Sequence, residues 1–408
     1  MLAAHFLRSL VRTGDLTVID ANGRTHRFCG QGGPKVAIRL HDRALHHRLM
    51  WSPHLALGEA YMDGTLTIEQ GSLYDLLELG CRNIASYDSY PLQRVLEQAR
   101  RALRALHTYN PAPRARRNVA HHYDLSGTLY GLFLDNDRQY SCAYFVTDND
   151  NLEVAQDNKK LHLAAKLMLK PGQKVLDIGS GWGGLGLYLS RIANIDVTGV
   201  TLSVEQQKVS EERARQAGLA DRTRFHLRDY REVTGKFDRI VSVGMFEHVG
   251  TAHYPEFFNK ARNLLTDDGV MLLHSIGRRG PPAGADPWIR KYIFPGGYTP
   301  ALSEVFRAVE RAGLWVTDVE ILRLHYAKTL HDWLRRFQAN RDKIQSIYDE
   351  RFCRMWEFYL TGCELAFRHL GQLVFQVQIA RRQEAVPLTR DYITDFERTY
   401  AGRAMSAA

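Results

Sequence analysis

Four side chains able to take part in acid–base chemistry lie at separate points of the chain: Cys142, Glu247, His274 and Tyr326. Thiol, carboxyl, imidazole and phenol groups can each donate or accept protons or hydrogen bonds. Taken singly, each also has an ordinary structural explanation, such as a buried small thiol, a strand-end hydrogen bond or a core histidine. The Glu247–His248 pair lacks the His-Glu-x-x-His spacing of zinc proteases, so the sequence predicts no metal site.

A glycine-rich turn in residues 175–184, VLDIGSGWGG, could hold a cofactor. Gly179 and Gly181 permit a tight turn and a close approach to a ligand, and the following helix start can bind an anion. Dinucleotide enzymes use similar turns, so the glycines alone do not choose a ligand. Asp177 suits a cationic amino-acid group and poorly suits a pyrophosphate. We therefore predict S-adenosylmethionine, with its methionine carboxylate at the helix N-terminus.

Two further strand ends carry polar residues. Ser203 and Gln206 have the spacing of a helix capping box, while Gln206 or Gln207 could instead hydrogen-bond a ribose, and the sequence leaves both interpretations open. Asp229 and Tyr230 end the next strand, where an adenine would be held by a hydrogen bond and a ring contact. A solvated aspartate or a surface tyrosine is plausible for either residue alone.

The elements that must position these residues follow from the hydrophobic pattern. From Lys174, short apolar strands alternate with helices, which predicts an α/β fold with a parallel, doubly wound, Rossmann-like sheet. A helix over 303–312, a strand over 315–322 and a long helical region over 329–370 follow. The alternating stretch 373–381, LVFQVQIAR, is typical of an edge strand.

The residues before this pattern predict a smaller, mainly helical region. We expect a first domain over 1–110, a basic linker over 111–120 and a larger domain over 121–400. Arginines 94, 100, 101, 104, 114, 116 and 117 could dock on phospholipid headgroups, or could form a solvated helix face. The arginines at 94, 100, 101 and 104 lie on a predicted basic helix, where they flank its apolar stripe. This stripe is formed by Leu92, Val95, Leu96, Ala99, Leu103 and Leu106.

Composition narrows the partners. The 408 residues carry a net charge of +9 with a pI near 9.3, which favours nucleic acid or an anionic membrane face. No stretch approaches the roughly 20 apolar residues of a membrane span, and the apolar run before Arg8 is too short for a secretory signal, so we expect a cytoplasmic protein. Five unpaired cysteines fit a reducing compartment.

Several motifs together resemble the cyclopropane-fatty-acyl-phospholipid synthase family over nearly the whole chain. They are YSCAYF at 140–145, GMFEHVG at 244–250, LHSIG at 273–277, HYAKTL at 325–330, GEAYMDG from 58 and HHYDLS from 121. The resemblance implies that a bicarbonate ion is held by Cys142, Glu247, His274, Tyr326 and the backbone of Ile276. It also implies that S-adenosylmethionine is held by Tyr140, Ser141, Gly179, Gly181, the stretch Thr201, Leu202, Ser203 to Gln206, and Tyr230.

The implied substrate is a cis-unsaturated phospholipid acyl chain, and homodimerisation is implied by the family alone. The domain over 1–110 would then serve lipid access, and the domain over 121–400 would be catalytic, with an inserted helical lid over the acyl channel. Methyl transfer to an alkene leaves a carbocation, which aromatic faces of Tyr144, Phe246 or Tyr326 could stabilise. Bicarbonate would then remove a proton from the new methyl group and the ring would close. His121, His122 and Tyr123 could belong to a lid over the cofactor, or to a surface helix.

Three other functions are alternatives to cyclopropane formation. A related acyl C-methyltransferase would give a methyl-branched or methylene product. An RNA methyltransferase would show aromatic residues interleaved with the basic patch, and the sequence lacks them, so we expect no nucleic-acid partner. A non-catalytic lipid-binding protein would not need the glycine turn or the four acid–base side chains.

Overall fold

The structure is a computed structural model that describes residues 8, 10–85, 111 and 127–404. The predicted basic helix, the linker arginines and His121–Tyr123 lie outside the described residues. Two compact units divide the chain. The first unit combines residues 1–104, 283–295 and 330–372, and the second combines 105–282, 296–329 and 373–408.

The described strands are Asp15–Ile19 (β1), Thr25–Cys29 (β2), Lys35–Leu40 (β3), Leu66–Gln70 (β4), Lys174–Ile178 (β5), Asp196–Thr201 (β6), Thr223–Leu227 (β7), Phe237–Val243 (β8), Leu265–Arg278 (β9), Trp315–Leu322 (β10) and Gln372–Ala380 (β11). The described α-helices are Leu45–Trp51 (α1), Pro53–Met62 (α2), Leu73–Arg82 (α3), Gly127–Phe133 (α4), Leu152–Leu167 (α5), Gly184–Ala193 (α6), Val204–Gln216 (α7), Tyr254–Leu264 (α8), Pro287–Tyr292 (α9), Leu302–Arg311 (α10), His325–Ala339 (α11), Arg341–Ile347 (α12), Glu350–His369 (α13) and Asp391–Ala404 (α14). None of these helices is long and apolar enough to cross a membrane.

The first unit joins a small sheet to helices from distant parts of the chain. Its four strands follow the order β2-β1-β3-β4, and their inward side chains form a core with α1, α2 and α3. Helix α13 packs on α2 and α3, and α9 packs on α2. The helices agree with the prediction, whereas the sheet was not predicted. Its strands have five or six residues each, too short to show a clear alternation in the sequence.

The contacts that join these distant segments are both apolar and charged. A Cβ atom at Gly58 would lie 2.3 Å from the Trp288 indole nitrogen, so glycine allows α9 to sit directly on α2. Lys291 Nζ donates to Glu59 Oε1 at 2.6 Å. Because these residues lie more than 220 positions apart, the first unit depends on long-range contacts.

The second unit contains the predicted Rossmann-like sheet, in the order β10-β11-β9-β8-β5-β6-β7. Strands β9, β8, β5, β6 and β7 are parallel to their neighbours in that run, which confirms the predicted class of fold. The strand order reverses between β5 and β8. In open α/β sheets a ligand crevice forms at the carboxyl ends of strands at such a point.

The prediction of an edge strand at 373–381 is wrong. Strand β11 lies inside the sheet and pairs antiparallel with β10, which forms the edge. Its polar side chains Gln376 and Gln378 are fully buried. Gln378 Nε2 donates to the Lys166 carbonyl oxygen at 2.6 Å, and Gln376 Nε2 lies 3.2 Å from His274 Nδ1. The alternation therefore reflects buried amides with partners, and not a solvated face.

Candidate active site

A pocket opens at the carboxyl ends of β5, β6 and β8 in the second unit. The residues named individually for the cofactor in the sequence analysis line it, except Ser203 and the alternative ribose ligand Gln207. The wall is formed by Tyr130, Leu134, Arg138, Gln139, Tyr140, Ser141, Asp177, Ile178, Gly179, Ser180, Gly181, Trp182, Leu185, Val200, Thr201, Leu202, Gln206, Arg228, Asp229, Tyr230, Arg231, Val243, Gly244, Met245, His248 and Val249.

The glycine turn after β5 shapes one side of the pocket. Gly179 and Gly181 have φ angles of 85° and 53°, in the left-handed region where a side chain is strained. A Cβ atom at Gly179 would lie only 2.8 Å from Met245 Cβ. Glycine at this position therefore allows the turn after β5 and the segment after β8 to approach closely.

We expect Gly179→Ala to weaken S-adenosylhomocysteine binding at least about tenfold and to lower the free energy of unfolding by about 1–3 kcal/mol, from the strained φ and the Met245 contact. Calorimetric titration and thermal unfolding measure the two effects. Gly172→Ala is the matched control, because Gly172 also has a positive φ but open space around it, and it does not line the pocket. Loss of affinity in the control as large as in Gly179→Ala would contradict this account.

Asp177 is the buried charge of the pocket. Its residue is 1% exposed, its Oδ2 atom has no hydrogen-bond partner, and burial raises the pKa of Asp177 to about 7. An unpaired buried carboxylate is unfavourable without a cation. An ammonium group in the pocket would supply that cation, so the site fits the α-amino end of S-adenosylmethionine.

A protein carboxylate lies near the predicted place for the ligand's carboxylate, which stays a prediction. The carboxylate of Asp137 already lies against the first residue of α6, where a Cβ atom at Gly184 would come within 2.3 Å of Asp137 Oδ2. Asp137 is held there by Lys160 Nζ at 2.8 Å and by Arg213. We therefore expect the ligand's carboxylate to be bound elsewhere in the pocket.

The structure distinguishes the two roles considered for the residues after β6, a helix cap and a ribose ligand. Ser203 is the N-cap of α7, and its hydroxyl oxygen accepts from the Gln206 amide N–H with a distance of 3.3 Å. Thr201 Oγ1 donates to Gln206 Oε1 at 2.8 Å, and Gln206 lines the pocket. Gln207 Nε2 instead donates to the Phe225 carbonyl oxygen at 3.4 Å. Ser203 therefore acts as the cap, and Gln206 is the glutamine available for a ribose.

Asp229 and Tyr230 both line the pocket, as expected for an adenine site. The Asp229 carboxylate accepts from Arg231 Nε at 2.9 Å and Nη2 at 2.8 Å, a pairing that the sequence analysis missed. The Tyr230 ring meets the Phe257 ring edge to face, with 5.3 Å between centroids. Arg231 thus fixes the orientation of the Asp229 carboxylate in the pocket wall.

The residues predicted for acid–base chemistry do not line this pocket, but their sequence neighbours Ser141 and His248 do. Glu247 and Ile276 are in contact, because the Ile276 amide donates to Glu247 Oε1 at 2.7 Å. Glu247 Oε2 is buried and has no hydrogen-bond partner. Burial raises the pKa of Glu247 to about 7. Glu247 can therefore hold or release a proton near neutral pH.

Cys142 and His274 are uncharged. Burial raises the pKa of the Cys142 thiol and lowers the pKa of His274 to about 3. His274 Nδ1 lies 3.2 Å from Gln376 Nε2, so the amide can fix which imidazole nitrogen carries the proton. A neutral thiol and a neutral imidazole can orient a small anion without a charge of their own.

Two hydrogen bonds join the segment of Cys142 to the helix of Tyr326. The Ala143 amide donates to Thr329 Oγ1 at 3.0 Å, and the Phe145 amide donates to His325 Nδ1 at 3.0 Å. Cys142 and Tyr326 are therefore carried on two segments that are fixed to each other.

Two of the three aromatic rings predicted to stabilise a carbocation are already engaged. Tyr144 stacks on His162 and on His325, with centroid distances of 4.3 and 4.9 Å and nearly parallel planes. Phe246 is fully buried and stacks on Tyr254 with 4.3 Å between centroids. The prediction therefore fails for Tyr144 and Phe246, whose faces contact protein rings, and it stays open for Tyr326.

Sequence reasoning missed a buried lysine beside the pocket. Lys159 is fully buried on α5, and its Nζ donates to Gln139 Oε1 at 2.7 Å and Ser141 Oγ at 2.8 Å. Its spacing from Leu152 and Leu163 places it on the apolar face of the helix. A lysine within an apolar stripe was the available signal. In the described ranges, no group of three or more His, Cys, Asp or Glu residues could hold a metal ion.

The seven-stranded sheet, its glycine turn and the buried unpaired carboxylate define an S-adenosylmethionine-dependent methyltransferase. The chain belongs to the family described as mycolic acid cyclopropane synthetase, whose model matches residues 111–377. Residues 6–89 match a domain of unknown function, DUF7884.

Relatives and a solved structure agree with this family. The cyclopropane-fatty-acyl-phospholipid synthase of Escherichia coli K12 is 38% identical, over 86% of this chain and 90% of the relative. A probable fatty acid methyltransferase of Pseudomonas putida is 35% identical, over 88% and 91%. The crystal structure of mycolic acid cyclopropane synthase CmaA1, complexed with SAH and CTAB, gives a TM-score of 0.61 at 36% identity, covering 66% of this chain and 99% of that one.

Proposed function

We propose that this enzyme transfers a one-carbon unit from S-adenosylmethionine to a cis double bond of a phospholipid acyl chain and closes a cyclopropane ring. The observation that carries the proposal is the Glu247–Ile276 contact beside a methyltransferase pocket. This contact uses Glu247 Oε1 and leaves Glu247 Oε2 buried without a hydrogen-bond partner. Simple methyl transfer needs no such buried acid. Ring closure requires removal of a proton, and the similarity to the Escherichia coli synthase names the product class.

The pocket's main task is positioning. An alkene is a weak nucleophile, so the methyl donor must be presented in line and close to it. When bound, S-adenosylmethionine supplies the electrophilic methyl group. Asp177 fits its ammonium end, Gln206 its ribose, and Asp229 with Tyr230 its adenine.

The acid–base residues fit a bicarbonate ion. The unpartnered Glu247 Oε2 and the His274 imidazole offer hydrogen-bonding groups in a buried setting, and Tyr326 lies on the segment joined to that of Cys142. The Cys142 thiol donates to the Ala143 carbonyl oxygen at 3.3 Å and would have to turn to reach the ion. The Ile276 amide is used to hold Glu247, so the backbone of Ile276 contributes by fixing this carboxyl group. When bound, bicarbonate supplies a small, mildly basic acceptor for the methyl proton.

We further propose that the protein works in the cytoplasm, attached peripherally to an anionic membrane face, as a homodimer. The net charge of +9 supports attraction to anionic headgroups. Co-sedimentation with vesicles at low and high salt tests the attachment, because screening should release an electrostatically bound protein.

A second candidate is a related acyl C-methyltransferase that releases a methyl-branched or methylene chain. The similarity to the Pseudomonas putida fatty acid methyltransferase favours keeping it. It would use the same pocket but lose a proton from a different carbon of the acyl chain.

Incubation with vesicles of a cis-monounsaturated phospholipid and S-adenosylmethionine separates these candidates. We expect acyl products heavier by about 14 daltons, one CH2, with high-field ring protons in the NMR spectrum, because the proton is removed from the new methyl group. The same mass gain without ring protons would support the branched product. No gain in mass, with S-adenosylhomocysteine still bound by calorimetry, would overturn the phospholipid substrate.

A further inference from the structure

We propose that Lys159 is a positioning residue that aims the Ser141 hydroxyl at the methionine carboxylate of S-adenosylmethionine. The proposal depends on the methyltransferase pocket and not on the acyl substrate proposed above. Lys159 has no role in the proton removal proposed above, and we assign it one in cofactor binding.

The surroundings of Lys159 are unusual for a lysine. Its side chain is fully buried, and the two direct acceptors of its ammonium group, Gln139 Oε1 and Ser141 Oγ, are both neutral. Burial lowers the pKa of Lys159 to about 8, outweighing the carboxylates of Asp135 and Asp137, which favour its charge through space. A buried cation is unfavourable unless it is compensated, and neutral acceptors compensate it only in part. An anion in the adjacent pocket would complete its environment, since both Gln139 and Ser141 line that pocket.

The direction of one hydrogen bond defines the role of Ser141. An ammonium group only donates, so Ser141 Oγ must accept from Lys159. The hydroxyl hydrogen of Ser141 is then directed away from Lys159 and is free for another acceptor. Because donation by the cation also polarises the hydroxyl, Ser141 becomes a stronger donor towards the pocket.

The ligand's carboxylate is the acceptor that fits. The start of α6, where an anion might otherwise bind, already holds the Asp137 carboxylate. Asp177, with its unpartnered oxygen, supplies the complementary acceptor for the ammonium of the same amino-acid moiety. A donor at Ser141 and an acceptor at Asp177 in one pocket match a zwitterion.

A separate contact holds the backbone around Ser141. Gln156 Nε2 donates to the carbonyl oxygens of Gln139 at 3.2 Å and Ser141 at 3.0 Å. The segment therefore keeps its position without Lys159. Substitution of Lys159 should change the orientation and donor strength of the Ser141 hydroxyl more than the position of the chain.

The test compares two ligands by calorimetry on the full-length protein: S-adenosylhomocysteine, and its decarboxylated analogue, which keeps the amine. We expect Lys159→Met to weaken S-adenosylhomocysteine about 10- to 100-fold, the range for loss of a charge-assisted hydrogen bond, and to change the analogue less than about twofold. Equal losses for both ligands would overturn the proposal, because they would indicate a general collapse of the pocket.

Lys166→Met is the matched control. Lys166 is also fully buried on α5, but its ammonium group pairs with Glu320, whereas that of Lys159 donates to the pocket-lining residues Gln139 and Ser141. We expect this control to affect stability and to leave the preference for the carboxylate unchanged. If Lys159→Met does not fold, Ser141→Ala decides: a loss confined to S-adenosylhomocysteine supports the proposal, and no loss overturns it.

Discussion

Glu247→Gln is expected to reduce acyl product formation at least about 100-fold, the scale of a lost general acid–base group. The substitution keeps an oxygen that can accept from the Ile276 amide, so the local geometry should persist. It removes the group that can hold or release a proton near neutral pH, since burial raises the pKa of Glu247 to about 7. Initial rates with phospholipid vesicles measure the effect.

The affinity for S-adenosylhomocysteine should remain within about threefold in this variant. Glu247 does not line the cofactor pocket, so the substitution removes no hydrogen bond to the ligand. Glu256→Gln provides a matched control: Glu256 is half exposed on α8 and pairs with His253. Parallel losses of product and affinity in Glu247→Gln would move Glu247 into the cofactor site.

Asp177→Asn should change cofactor affinity and stability in opposite directions. Loss of the charged partner of the ligand's ammonium is expected to weaken S-adenosylhomocysteine binding about 10- to 150-fold. The ligand-free protein should become more stable at neutral pH, because the variant no longer buries a carboxylate without a hydrogen-bond partner on Oδ2. Calorimetry and thermal unfolding of the same samples give both quantities.

The gain in stability should depend on pH. Burial raises the pKa of Asp177 to about 7, so the folded, ligand-free protein binds this proton more tightly than the unfolded chain does. That contribution is complete below the unfolded pKa, near 4, and is lost as the pH rises through about 7. The advantage of Asp177→Asn should therefore be larger at about pH 8 than at about pH 5. A pH-independent difference would contradict the unpaired-carboxylate account, and Asp196→Asn, at the exposed start of β6, serves as control.

The parallel sheet could be predicted because its strands are nearly continuous apolar runs between helices. Buried parallel strands leave that pattern in the sequence. Strand β11 was misplaced since Gln376 and Gln378 resemble solvent-facing residues, although both are buried against specific partners. A sequence pattern records polarity, and it does not record whether a polar group has found a partner.

The cofactor residues after β5, β6 and β7 were predictable because they follow strand ends, whereas Tyr140 and Ser141 were implied only by the family resemblance. The pairs that depend on tertiary structure were not: Arg231 with Asp229, Asp137 at the start of α6, and Lys159 with Ser141. For the same reason, nothing in the sequence showed that Tyr144 stacks on two imidazoles. The sequence indicates which chemical groups are present, but only the tertiary structure shows which groups are in contact.

The first unit is built from segments that lie far apart in the chain, so it cannot be completed early in synthesis. Its sheet and helices α1–α3 are complete by residue 82, but the helices packed on them end only at residue 369. At translation speeds of about 5–20 residues per second, the early segment must wait roughly a quarter of a minute to a minute for these partners. Until then the apolar faces of α2 and α3 are uncovered on the ribosome. We expect the nascent chain to need chaperone protection over this interval.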